Sequence, residues 1–216
     1  MYKRQGLGNI KIKENQLDQI SVTVKSLVVI ASKELQNVIN FDDYKNQLIG
    51  KSKSINELNL IAKKMTKDYQ LNDFPLVRVI LPKQELKPDS ATIFFKVIDG
   101  FIEKINLKKI PKKQKKAVFR YLRELKDKKN IKNSLLERKL LLAGRVAGLQ
   151  LNTAFAPGTK EGSTILVVEA KHKLISGSIN FNNTQSEELG RQLGVLQTTI
   201  NSPFGFGESL TMFGLA

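Results

Sequence analysis

Catalysis needs a nucleophile, a base or a metal ligand in suitable company, and this 216-residue sequence supplies few of them: no Cys and a single His, His172. Without Cys there is no thiolate nucleophile, thiolate metal site or disulfide. One His leaves a Ser-His-Asp triad buildable only around that residue. His172 sits between Lys171 and Lys173 at the end of a strand-like run and reads as a solvent-facing hinge residue. Asp42-Asp43 opens a helical stretch, where negative charge suits the helix N-terminus. Glu187-Glu188 reads as a loop, and Ser202 and Ser209 have no base to activate them. No enzyme and no cofactor is expected. The chemistry left is that of main-chain hydrogen-bonding groups and of charge.

Charge is abundant and uneven. The chain carries 36 Lys plus Arg against 20 Asp plus Glu, a net of +16. Between Lys108 and Lys139 stand 11 Lys and 3 Arg against Glu124, Asp127 and Glu137, so most of the excess lies there. From Leu174 onward there is no Lys, while 6 of the 14 Gly and 4 of the 11 Phe fall in this stretch. So abrupt a change places a boundary near Leu174 and implies different surroundings on its two sides. Leu27 to Ala31 is the longest early apolar run. It is far short of the ~20 residues a transmembrane helix needs, and no secretory leader is visible.

Before Leu174 one order of elements recurs. Val22 to Ile30 reads as a strand, Phe41 to Ile49 as a short helix, and Ile55, Leu58, Ala62, Met65 and Tyr69 fall at helical spacing. Ser54 and Glu57 form the pattern of a capping box. Leu76 to Leu81 and Ala91 to Val97 read as strands, the earlier one flanked by Pro75 and Pro82 as suits an edge. The second pass runs strand Ile102 to Leu107, helix Gln114 to Leu125, helix Leu135 to Ala143 with a second capping box at Ser134 and Glu137, then strands Leu149 to Phe155 and Thr164 to Glu169. The fold class expected is α+β, with two tandem β-α-α-β-β units. In each, a short turn makes the last two strands antiparallel, the helical crossover makes the first strand parallel to the last, and the penultimate strand is left as an open edge of a three-stranded sheet.

These units resemble the polypeptide-transport-associated (POTRA) domain, and local motifs resemble the two-partner secretion transporters, or hemolysin activation/secretion proteins, of Gram-negative outer membranes. The motifs are Arg78-Val79-Ile80-Leu81-Pro82-Lys83-Gln84, Phe95 to Ile102, Glu137 to Gly148, Leu149-Gln150-Leu151, Ala156-Pro157-Gly158 and Gly162-Ser163-Thr164. Asn182-Asn183 to Gly190-Arg191 and Asn201 to Leu210 resemble the family's first barrel strands and their turn. Asn72-Asp73, Ser90 and Ala147 depart from the family's usual residues. The domains expected are an N-terminal linker 1–20, POTRA-like units 21–100 and 101–173, and the opening strands of an outer-membrane β-barrel in 174–216. Lys-free segments rich in Gly, Thr, Asn and aromatics suit strands with lipid on one side and water on the other, although alternation fails after Leu196. Because barrels need at least about 8 strands, this stretch is expected to supply a truncated barrel and no pore by itself, with the leader outside the chain.

The resemblance implies a periplasmic part of an outer-membrane transporter. It would recognise the secretion domain of an unfolded exoprotein and pass it to the barrel. Its expected mode is β-augmentation, an extended segment pairing with an exposed strand. The residues singled out are Arg78, Val79, Leu81 and Gln84 on one edge and Gln150, Leu151 and Asn152 on the other. The expected partners are the exoprotein and, through the barrel strands, outer-membrane lipid; the chain is expected to be a monomer. The rivals are a basic nucleic-acid-binding α+β protein, suggested by Lys108 to Lys139 but lacking a phosphate loop or stacking aromatics, and an outer-membrane protein assembly factor of the same superfamily.

Overall fold

The computed structural model describes residues 21–183 and 192–215; the expected linker 1–20, Glu187-Glu188 and Gly190-Arg191 lie outside them. The chain divides into two units, Met1–Asp99 and Gly100–Ala216.

In the first unit, alternating Val and Leu build β1 (Ser21–Ile30), whose Val22, Val24 and Leu27 point inward. Two short helices follow, α1 (Lys33–Gln36) and α2 (Phe41–Leu48). The Ser54–Glu57 capping box forms in full and starts α3 (Ile55–Leu71), which buries Leu58, Ala62, Met65 and Tyr69. That stripe packs on Ile93, Phe95 and Val97 of β4 (Ala91–Ile98). As expected, β1 runs parallel to β4, and β3 (Arg78–Ile80) pairs antiparallel with β4. Two expectations are corrected. The sheet has four strands, order β2-β1-β4-β3, because Ser52–Ser54 forms β2 against Ser21 to Thr23. The edge strand expected over Leu76 to Leu81 shrinks to Arg78–Ile80. Continued in register, Pro82 would oppose Phe94, and a residue without an N–H cannot extend the ladder there.

The second unit repeats the plan with β5 (Phe101–Lys109), α4 (Lys115–Leu122), a 3₁₀ turn (Arg123–Leu125), α5 (Asn133–Gly144), β6 (Leu149–Pro157) and β7 (Ser163–His172). The sheet order is β5-β7-β6, with β7 central, parallel to β5 and antiparallel to β6. Val118, Leu122, Leu125, Leu136 and Ala143 from the helical layer close over Ile102, Leu166 and Val168. The second capping box does not form: α5 is N-capped at Lys132 without a side-chain bond, and Glu137 instead accepts from the Asn133 side chain at 2.8 Å.

β8 (Ile175–Asn182), β9 (Leu193–Asn201) and β10 (Ser209–Leu215) form an antiparallel meander, order β10-β9-β8. Registered together, Ile175, Ile179, Phe181, Leu196, Ile200, Leu210 and Met212 share one face, while Ser176, Ser178, Asn180, Gln197, Thr199 and Thr211 share the other. The alternation that fails along the sequence past Leu196 is therefore largely restored across strands, although Leu193, Val195, Phe213 and Leu215 fall on the polar face and Thr198 on the apolar one. Phe181 is 83% exposed, so the apolar face of this meander is uncovered.

Candidate functional site

The sheet edges offer the chemistry of unpaired main chain. Among the described residues no group of His, Cys, Asp or Glu could hold a metal ion. His172 does not face solvent freely: its Nε2 lies 3.1 Å from the carbonyl of Asn201.

The first unit closes its edge with its own side chains. Val79 is the β3 residue whose N–H points away from β4, and it donates to the Thr66 hydroxyl of α3 at 2.8 Å. Beyond β3, the carboxamide of Gln84 accepts from the Phe94 N–H at 2.9 Å and donates to the Phe94 C=O at 3.1 Å. Gln84 thus replaces the main-chain pair that Pro82 cannot make. Leu81 packs half-buried against the core, and Arg78 is exposed.

In the second unit the β6 edge is open. Gly158 N–H donates to the Ser163 C=O at one end, and Lys173 N–H to the Gly148 C=O at the other. Between them the register is unbroken. In an antiparallel pair, hydrogen-bonded and non-bonded residues alternate. Both ends therefore assign Gln150, Asn152, Ala154 and Ala156 to β7 and leave Leu151, Thr153 and Phe155 presenting N–H and C=O outward. Among the described residues no strand pairs with this side, and Gln150, Asn152, Thr153 and Phe155 are exposed. Of the three residues singled out here, Leu151 offers main chain, whereas Gln150 and Asn152 offer side chains on the face away from the helices.

The far end of this edge is clamped. Glu103 of β5 accepts from the Thr159 hydroxyl at 2.6 Å and from the Thr159 N–H at 2.9 Å, tying the β6–β7 turn across the sheet. Hydroxyl hydrogen bonds from Thr159 and Ser163, with the Thr159 N–H, hold the Glu103 carboxyl down at about 2. A Cβ on Gly158 would stand 2.0 Å from Ser163 Oγ and 2.7 Å from Glu103 Oε2, so this crowded turn requires glycine. The sequence reading missed this clamp, and it missed Thr153 and Phe155 on the edge. Counting alternate residues back from the Pro157-Gly158 turn would have found the latter.

Among solved structures, CdiB from Escherichia coli matches 99% of this chain and 38% of its own at a TM-score of 0.66 and 18% identity. The fold shared with it is that of POTRA units followed by β-barrel strands. CdiB from Acinetobacter baumannii matches 99% of this chain and 41% of its own, with a TM-score of 0.56 and 17% identity. The Heme/hemopexin transporter protein HuxB of Haemophilus influenzae (strain 86-028NP) is 23% identical over 198 residues, 91% of this chain and 34% of HuxB. No protein-family model matches. The chain spans about a third of the length of this curated relative. CdiB and HuxB are two-partner secretion transporters of the Omp85 superfamily, so the resemblance and the fold class drawn from the motifs are borne out. In these POTRA-and-barrel terms, β6 is the penultimate strand of the second POTRA-like unit, and β8 to β10 are barrel strands.

Proposed function

We propose that this chain is the substrate-receiving part of an outer-membrane two-partner secretion transporter, with POTRA-like domains at 21–100 and 101–173 in the periplasm and barrel strands in 174–216. An unfolded exoprotein segment pairs with β6 as an added strand and is passed from there to the barrel. The observation that carries this reading is the unpaired edge itself: a 9-residue strand exposing the main chain of Leu151, Thr153 and Phe155. Main-chain bonds to such an edge give affinity without demanding one sequence, which suits a long polypeptide in transit. Side chains add preference, Gln150 and Asn152 on one face and Phe155 on the other. The β3 edge has its outward N–H occupied by Thr66 and is the weaker of the two docking strands, so Arg78, Val79, Leu81 and Gln84 contribute less than β6 does.

Because the chain lacks Cys, a single introduced thiol reports one position. A benzophenone attached at Thr153→Cys should crosslink to the secretion domain of an exoprotein encoded beside the chain's own gene, and the same probe at Arg78→Cys should crosslink far less. Equal yields at the two sites, or no crosslink at Thr153→Cys, would refute docking on β6.

A further inference from the structure

The turn Ser202 to Glu208, between β9 and β10, satisfies its own main chain. Ser202 N–H donates to the Glu208 C=O at 2.7 Å, and Glu208 carboxylate oxygens accept from the N–H groups of Phe204 at 2.6 Å and Phe206 at 2.8 Å. Desolvation opposes ionisation of Glu208, yet these N–H groups hold its carboxyl below the usual range. α4 seats the turn. The buried Gln114 side chain donates to the Ser202 C=O at 3.2 Å, and Gly205, at φ 86°, passes so close that an added Cβ would stand 2.5 Å from the Lys113 C=O.

A turn so well anchored has no internal need for large apolar side chains, yet Phe204 is 76% and Phe206 66% exposed. Together with Phe119 they share a cleft with Lys113, Lys116 and Arg123. No carboxylate among the described residues forms an ion pair with those three cations. Exposed aromatic rings beside unpaired cations are the composition of a protein surface that meets lipid headgroups. The position agrees: β9 and β10 leave this turn carrying Leu196, Ile200, Leu210 and Met212 on their apolar face, the side a barrel wall turns to lipid, so the turn stands at the end of those strands, where headgroups begin.

We propose that the cleft between α4 and the β9–β10 turn docks on anionic phospholipid headgroups, the Phe rings entering the interface and Lys113, Lys116 and Arg123 pairing with phosphates. This inference does not involve β6. It gives part of the basic stretch a task and holds the second POTRA-like unit against the membrane. A nucleic acid would use the cations but has no use for a patch continuous with an apolar strand face.

The test is co-sedimentation of the full chain with vesicles of phosphatidylcholine alone or mixed with phosphatidylglycerol. Each basic side chain near an anionic surface contributes about 1 kcal/mol, so Lys116→Glu with Arg123→Glu should weaken binding to the anionic vesicles by about 30-fold or more. Binding to neutral vesicles should not change. Lys63→Glu with Lys67→Glu on α3 makes the same change in net charge and should alter neither. Equal losses from the two pairs, or none from the first, would overturn the proposal. On the native chain the anionic preference must fade as salt screens it; persistence at high salt, or displacement of the vesicles by duplex DNA, would likewise overturn it.

Discussion

Proline on β6 separates an edge that docks a partner from an edge that is merely exposed. Thr153 directs its N–H away from β7, so Thr153→Pro removes an outward donor and leaves the β6–β7 ladder intact; edge strands tolerate such a proline. Asn152, one residue earlier, directs its N–H to Glu169, and Asn152→Pro removes a ladder bond. The unmade bond to an incoming strand, with that strand's carbonyl left unsatisfied, costs about 1–3 kcal/mol, a weakening of roughly 5- to 150-fold. The same 1–3 kcal/mol, approximately, should appear in Asn152→Pro as lost folding stability. Thr153→Pro should stay within about 1 kcal/mol of the native chain. Thr153→Val keeps the N–H and should bind like the native protein. The assays are thermal unfolding by circular dichroism and titration with the exoprotein secretion domain by fluorescence anisotropy. Native affinity in Thr153→Pro would refute the reasoning, since docking would then not use the main chain of this edge.

Gly158→Ala should destabilise the second unit by about 1–3 kcal/mol, seen as a lower Tm, because the new Cβ overlaps Ser163 Oγ and Glu103 Oε2. Glu103 has a folded-state pKa depressed to about 2, so its clamp contributes above the ordinary carboxylate range and is lost as pH falls through that range toward about 2. Denaturant midpoints should therefore drop with acidification over that window, and Glu103→Gln should flatten the response. Ending the chain after Lys173 removes the exposed apolar strand face and should raise solubility while preserving the two α+β units; light scattering and amide spectra check this, and equal aggregation would count against reading β8 to β10 as membrane strands.

Much of the fold was legible because periodicity was strong where packing is strong. The stripe Leu58, Ala62, Met65, Tyr69 and the box Ser54–Glu57 fixed α3, and the short turn before β7 fixed its antiparallel pairing with β6. β2 was not legible, since Ser52-Lys53-Ser54 carries no apolar pattern and owes its conformation to pairing with β1. At α5 the same box pattern misled, because the helix begins before Ser134 and leaves no capping position there. Barrel alternation past Leu196 became visible only through cross-strand register, as Thr198-Thr199 interrupts it along the chain. The docking edge was legible as a strand, but which of its residues turn main chain outward depends on a parity set by the Gly158–Ser163 hydrogen bond. The sealing of the other edge by Thr66 and Gln84 is a tertiary arrangement that spacing alone does not reveal.

Residue-resolved amide hydrogen exchange, with and without the exoprotein secretion domain, reaches the main chain of β6 directly. In the free chain Leu151, Thr153 and Phe155 should exchange quickly while Gln150, Asn152 and Ala154 are protected; on binding, the first three should slow and the others hardly change. Protection of all six before any partner is added, or no slowing after, would contradict an open strand that receives a polypeptide.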